Sequence, residues 1–510
     1  MPPPVRPTPY LVVGGLFWVV MVAAAWRVPM CCDFGQHAAV VERVRADWLH
    51  PAHPMADLPG AGSPYYSPYA LVQGLLAEWS GLGGRHIVRL SGPVNLLVLL
   101  TGVGRLTRTL TPTSRPWAPV LALAAMVLLW GTRTAWWSGY LGLLSMTGNL
   151  SYPSTFATGL AFHLWASAGR AARDGARLLA HAGLGLLLGL TVLVHPITAV
   201  AAGIGTAAFL AGRQHDRYRV VLARWALTAA VAVAVAVAWP YFSVFSLVGD
   251  GSVDLIHQRL YTELPGRFWL ALLGLPALWL RWRRDRRDPL VLMCAAECLV
   301  VAYGWVSGQY TYGRILGLAL VPLQFALAVE LAQPRPWPLV RRVLAPLAAA
   351  GACVGFVTVQ AGAVVPRAVD PVGFGRPPSW ATYAWAARYI GPGEVVLTSG
   401  YRSTRALPGY GPFLVAPTWP DPALDERERV RRQRAVARYL SPSSTRAERA
   451  AVVRRYRVGW LLLLPHQRVP EEAVVVAFSP RTGEVLARVP ESFVRTEPAG
   501  RRPSDGSPGA

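Results

Sequence analysis

The feature that most constrains this chain is a succession of apolar runs, closely spaced from its start to about Val365. They lie at Tyr10–Val28, Ile87–Leu106, Trp117–Gly131, Tyr152–Gly169, Leu178–Val194, Ile197–Gly212, Trp225–Val248, Arg267–Leu280, Pro289–Val306, Ile315–Ala332 and Leu344–Val365. A bilayer's hydrocarbon core takes about 20 residues of apolar helix to cross. Within lipid each spanning segment must satisfy its own backbone hydrogen bonds. The runs therefore predict a polytopic α-helical membrane protein with about eleven transmembrane helices. Composition agrees: 53% of residues are hydrophobic and only 15% charged, against about 25% charged in an average soluble domain.

The chain is strongly basic, with a formal net charge of +23. All 50 basic residues are Arg and none is Lys. Arg beside abundant Ala, Gly, Pro and Val reflects GC-rich coding, and its placement follows membrane orientation, so no nucleic-acid partner is expected. The five cysteines form no CxxC pair and lie in or beside apolar runs, which argues against a zinc or disulfide framework.

One further run, Pro68–Leu82, is ambiguous, and the bias of Arg toward cytoplasmic loops arbitrates. If it does not cross, the segments Arg105–Arg115, Arg170–Arg177, Arg213–Arg224, Arg281–Arg287 and Arg335–Arg342 all face the cytoplasm. If it does, all five face outward. The first arrangement makes Pro68–Leu82 a helix at the outer interface and places residues 29–68 in a first external loop. That loop opens on a lone acid, Asp33, just past the first run. The other external loops carry aromatic and polar residues: Thr132–Ser151 has Trp136, Trp137 and Tyr140, Gly249–Pro265 has Asp250, Asp254, His257 and Glu263, and Ser307–Arg314 has Tyr310 and Tyr312. Together they can line one external cavity.

After Val365 the composition changes. Trp380–Ile390 reads as helix, Glu394–Ser399 and Gly459–Leu464 as buried strands, and Val474–Phe478 with Glu484–Val489 as a hairpin. Thr445-Arg-Ala-Glu448 is a capping box opening a helix to Tyr456. The expected organisation is a membrane domain over 1–366, a small extracytoplasmic α/β domain over 367–497 and a disordered polar tail over 498–510.

Asp33-Phe-Gly-Gln-His37 after the first span, the amphipathic stretch Ala38–Leu49, the SPYYSPY entry to a second helix, and His195-Pro196 at an external helix end form a layout that resembles the GT-C superfamily of integral-membrane glycosyltransferases. The nearest members are the actinobacterial ones that use polyprenyl-phosphate sugars. The resemblance implies transfer of a sugar from a polyprenyl-phosphate donor to a cell-envelope glycan, lipid or protein acceptor, on the outer face of the plasma membrane. It makes Asp33 the general base of a single inverting displacement, with His37 beside it. A lipid phosphate is already a good leaving group, so one carboxylate suffices where a glycoside hydrolase needs two. Arg314, and more weakly Arg133, are external arginines that run against the positive-inside pattern, and they are candidates to hold the donor phosphate. Trp136, Trp137, Tyr140, Tyr310, Tyr312 and His195 are candidates to line the substrate cavity. The loop lacks the paired DxD or ExD acids of some members, so no metal ligand set is assigned and a divalent cation is left open. His50, His53 and Asp57 have ligand-like side chains, while Glu42, Arg43 and Arg45 read as a solvated helix face. Two other readings stand beside this one: a secondary transporter, and a non-catalytic assembly or flipping partner of the same layout.

Overall fold

A computed structural model describes residues 7–28, 31–58, 62–174, 178–213, 218–334, 338–418, 421 and 424–495. The membrane part is helical. In order it holds α1 (Pro9–Arg27), α2 (Phe34–Ala46), α3 (Pro68–Ser80), α4 (Gly84–Leu110), α5 (Ala118–Leu128), α6 (Leu143–Asn149), α7 (Pro153–Arg173), α8 (Leu178–Val194), α9 (Pro196–Arg213) and α10 (Tyr218–Val237), then further helices over Leu275–Arg284, Pro289–Ser307, Val321–Leu331 and Leu339–Gly355. Six segments among the described residues are long and apolar enough to cross a membrane: Pro9–Arg27, Gly84–Leu110, Arg219–Val237, Pro289–Ser307, Tyr310–Leu331 and Leu339–Ala363. Ala118–Leu128, Leu178–Val194 and Pro196–Gly212 are apolar but shorter. Large apolar side chains such as Leu11, Leu16, Val237, Leu299 and Val306 point outward, as lipid contact requires.

Two expected spans differ from the sequence reading. Arg267–Leu280 is not one helix: it divides into Leu264–Phe268, a 3-10 stretch Trp269–Gly274 and Leu275–Arg284, the two α-helical pieces each opening with a proline. Proline has no N–H to continue the preceding helix. In the run Trp225–Val248 the α-helix ends at Val237, short of Trp239-Pro240, and only a 3-10 turn, Val244–Leu247, follows.

Helix ends that alternate along the sequence gather at two ends of the bundle. At one end Arg173 Nη1 donates to the Thr109 carbonyl at 2.8 Å, and Glu330 accepts from Arg284 at 2.9 and 3.1 Å and from Arg341 at 2.7 Å. These are the expected Arg-rich turns, although residues 175–177, 214–217 and 335–337 of those turns lie outside the described residues. At the other end Trp239 Nε1 donates to the Tyr66 carbonyl at 2.7 Å and Tyr241 to the Trp48 carbonyl at 2.6 Å, which seats the first loop.

Helix α3 is a separate element of 13 residues, started by Ser67 and Pro68 and stopped by left-handed Gly81. At about 1.5 Å per residue it is too short to cross a core about 30 Å thick. Val72, Leu76 and Trp79 are exposed on it, while Gly74 lets it lie directly on Val44 of α2. An interfacial helix has this form.

The C-terminal part holds a five-stranded sheet of β1 (Val395–Leu397), β2 (Phe413–Leu414), β3 (Val458–Leu463), β4 (Val474–Phe478) and β5 (Val485–Arg488), in the order β2-β1-β3-β5-β4. β1 runs parallel to β2 and β3, while β5 runs antiparallel to β3 and β4. The predicted hairpin is present, and Thr445 and Glu448 cap Arg446–Tyr456 in both directions. The expected helix Trp380–Ile390 shrinks to one turn, Ala384–Ala387. Alternate strand residues feed two cores. Leu397, Val395 and Leu461 pack with Val436, Tyr439 and Val453 of the helices Glu426–Leu440 and Arg446–Tyr456. Val396, Leu414 and Leu462 pack with Tyr383, Ile390 and Leu407. The second core faces the membrane helices, because the turn Leu407–Tyr410 lies against α2. The tail 498–510 lies outside the described residues.

Candidate functional site

Asp33 stands at the N-terminus of α2, where left-handed Cys32 turns the chain. Its Oδ1 accepts a 2.6 Å hydrogen bond from Arg405 Nη2. Arg405 is buried, belongs to the short helix Tyr401–Ala406 of the sheet domain, and also donates to Tyr401 Oη at 2.6 Å. This ion pair joins the two parts of the molecule. It depends on Gly35: a Cβ there would lie 2.3 Å from the Arg405 carbonyl oxygen and 2.6 Å from Ala406 Cα. Gly409 returns the favour, a Cβ on it meeting Gly35 backbone at 2.7 Å. The two glycines allow backbone-to-backbone contact between α2 and the sheet domain.

Arg43, in the last turn of α2, is not on a solvated face. It is 6% exposed, lies 3.6 Å above the Phe413 ring, and donates to the carbonyls of Gly411 and Pro412 at 2.7 Å each. An Arg fork fits a pair of neighbouring carbonyls, so the charge is buried with its donors occupied. The group His50, His53 and Asp57 is also structural where it is described. His53 Nδ1 accepts the backbone N–H groups of Met55 and Ala56, its Nε2 lies 3.2 Å from Asp421, and Asp57 pairs with Arg457. Leu414 N donates to the Met55 carbonyl at 2.7 Å, so the first loop extends the edge of the sheet.

His37 lies one turn from Asp33 with its ring against Tyr152 and Tyr65, the centroids 5.1 and 5.7 Å apart. Burial lowers its pKa to about 4, with Asp33 opposing the shift. Tyr152 anchors the turn by donating to the Cys31 carbonyl at 2.8 Å. The Tyr65 phenol, pushed up by burial, feels Asp33, Asp421, Arg405 and Arg314. Asp33, His37, Tyr65, Arg314 and Arg405 therefore share one neighbourhood.

Arg314 Nη2 donates to Ser138 Oγ at 2.6 Å and lies 3.4 Å from His195 Nε2, while its buried Nε has no hydrogen-bond partner among the described residues. His195 Nδ1 accepts the Thr198 backbone N–H at 3.2 Å and contacts Thr198 Oγ1 at 2.8 Å. A backbone N–H can only donate, so the proton of the neutral ring is assigned to Nε2. Two donors, an imidazole N–H and a guanidinium, then face each other, and neither can accept from the other. Such a pair is suited to an acceptor oxygen placed between them.

The remaining predicted residues are spread around this centre. Trp137 packs edge-on against His257, with centroids 5.4 Å apart, and Trp136 packs over Gly148. Tyr140 is buried against Trp130 and Gly317. Tyr310 packs with Tyr261 and Trp305, and Tyr312 with Tyr303, in an aromatic group of their own. Arg133 is exposed, its backbone held by Gly266. Arg405, which the sequence reading did not single out, is the partner that Asp33 finds. Among the described residues no three His, Cys, Asp or Glu side chains stand together as metal ligands. Asp33 itself meets the guanidinium of Arg405.

No family model matches the chain, and no curated protein matches its sequence. Among solved structures it is similar to ArnT from Cupriavidus metallidurans bound to undecaprenyl phosphate, with TM-score 0.52 and 16% identity over 95% of this chain and 98% of that one. It is similar to the arabinofuranosyltransferase AftD from Mycobacteria, with TM-score 0.54 and 16% identity over 94% of this chain and 40% of AftD. It is also similar to the Archaeoglobus fulgidus oligosaccharyltransferase in complex with Zn and sulfate, with TM-score 0.50 and 12% identity over 89% and 67%. All three are GT-C membrane glycosyltransferases, and the architecture of this chain is the GT-C fold.

Proposed function

We propose that the chain is a membrane glycosyltransferase that moves a sugar from a polyprenyl-phosphate donor to a cell-envelope acceptor. The observation that carries this reading is the pair of converging donors, Arg314 and His195, set in one neighbourhood with the carboxylate of Asp33. A site with an anion-binding pair beside a carboxylate can hold a leaving phosphate and deprotonate an incoming hydroxyl. In the proposed reaction Asp33 accepts the proton of the acceptor hydroxyl while that oxygen attacks the anomeric carbon. The anomeric C–O bond to phosphate breaks from the opposite face, and polyprenyl phosphate leaves with both electrons, its charge met by Arg314 and His195. Arg405 holds Asp33 by one oxygen and so fixes the direction of the carboxylate. The solved ArnT bound to undecaprenyl phosphate shares this fold, which supports a lipid phosphate as donor. The sheet domain, which lends Arg405 to the site, is proposed to lie on the outer side of the plasma membrane and to help bind the acceptor.

The test is the affinity of detergent-purified protein for undecaprenyl phosphate. Arg314→Lys keeps the charge and loses the fork, so binding should weaken, and Arg314→Ala should weaken it by about tenfold or more, since a charge-assisted hydrogen bond contributes about 1.5–3 kcal/mol. Equal affinity in all three proteins would refute the assignment.

A further inference from the structure

The donor site described above has an immediate neighbour that it does not use. His257 ends the short turn Asp254–His257 and is buried beside the turn Tyr310–Ile315 that carries Arg314. Asp254 Oδ1 accepts both the backbone N–H and the hydroxyl of Thr311, at 2.8 and 2.6 Å. A carboxylate oxygen only accepts, so the single hydroxyl proton of Thr311 is committed to Asp254. His257 Nδ1 lies 2.8 Å from that same Oγ1 and must therefore donate to it. The ring proton is on Nδ1, and the lone pair is on Nε2, for which no hydrogen bond is found among the described residues. Burial lowers the pKa of His257 to about 3, with Arg314 adding to the shift, so the ring stays neutral at working pH. His257 and His195, both near Arg314, thus hold opposite tautomers, one presenting an acceptor and the other a donor.

A phosphodiester has no proton to give to an acceptor, whereas a sugar hydroxyl does. Trp137, against whose edge His257 packs, is the immediate neighbour in sequence of Ser138, which Arg314 bonds. We propose that His257 Nε2 accepts a hydrogen bond from a hydroxyl of the transferred sugar while the phosphate of the same donor lies at Arg314. This inference rests on the donor reading above.

The test compares two kinds of ligand, undecaprenyl phosphate and its mannosyl and arabinofuranosyl phosphodiesters, in three proteins: wild type, His257→Phe and Thr311→Val. His257→Phe keeps a ring against Trp137 and removes the acceptor. Thr311→Val removes the hydroxyl that fixes the tautomer and leaves the Val N–H for Asp254. The wild type should bind one glycosylated lipid more tightly than the bare lipid. Both variants should lose about three- to tenfold in affinity for that glycosylated lipid, the range of one ordinary hydrogen bond, and keep their affinity for undecaprenyl phosphate within about twofold. Equal losses for both ligands would mean that His257 only supports the Arg314 turn, and would overturn the proposal. So would no loss in either variant, or a wild type that binds the bare lipid and gains nothing from either sugar. A wild type with no affinity for any of these lipids would overturn the donor reading itself, and this inference with it.

Discussion

At the scale of single residues, the account depends on which charges meet. Asp33 was legible because it is the lone acid after the first apolar run; Arg405 was not, because one Arg among 50 basic residues carries no local signal and its importance comes from a contact 372 positions away. Arg43 shows the same limit, since a charged residue on an amphipathic helix reads as solvated until the carbonyls of Gly411 and Pro412 are seen to take its donors. His37 gives a residue-scale prediction. Its folded pKa is about 4, against about 6.5 in an unfolded chain. Between those values the unfolded chain binds more protons than the folded one, so stability rises with pH, and it is lost as pH falls below about 6.5. The thermal midpoint of the wild type should fall between pH 7 and pH 5, and that of His37→Gln should fall less steeply, because one proton-binding site of the unfolded chain is gone. Identical slopes would contradict the burial assigned to His37.

At the scale of elements, helix α2 is the joint of the molecule. Its N-terminus holds Asp33 against the helix Tyr401–Ala406, its last turn holds the Gly411–Pro412 turn through Arg43, and the loop after it adds Met55 to the sheet edge. Gly35→Ala tests the joint. With backbone atoms 2.3 to 2.9 Å from the new methyl, α2 and the sheet domain must separate. A displacement on the order of an ångström moves Arg405 off Asp33, and catalytic geometry tolerates such a shift poorly. Transfer activity should fall by about a hundredfold while the protein still inserts and purifies from membranes; unchanged activity would show that the contact does not position the site. Elements with local signals were readable: the capping box at Thr445 to Glu448, the strand Val458–Leu463, the hairpin β4–β5. Where the local signal misled, proline was the reason at Arg267–Leu280, which the apolar run alone reads as one span.

At the scale of the whole molecule, the apolar runs made the membrane fold legible, and the alternation of Arg-rich turns with aromatic loops foreshadowed the two ends that the structure gathers. The candidate site was half legible, since Asp33, His37, His195 and Arg314 come together, while Tyr310 and Tyr312, on the same turn as Arg314, pack their rings against Tyr261 and Tyr303, and Arg133 is exposed. The rest depended on long-range packing that no local pattern encodes. The proposed orientation puts the sheet domain outside the cell: a membrane-impermeant thiol reagent should label a cysteine placed at Ser441 in intact cells and miss one placed at Asp285, and the reverse labelling would invert the topology. The central claim is that Asp33 is the base of a lipid-phosphate glycosyl transfer, and the most direct measurement is transfer of labelled sugar from a polyprenyl-phosphate donor in membranes, wild type against Asp33→Asn at matched expression. Asn keeps the shape and an oxygen for Arg405 but cannot take the proton, so turnover should fall by about a hundred- to ten-thousandfold, the usual contribution of a general base, with donor affinity unchanged. Full activity in Asp33→Asn, or no transfer by the wild type from any polyprenyl-phosphate donor, would contradict it.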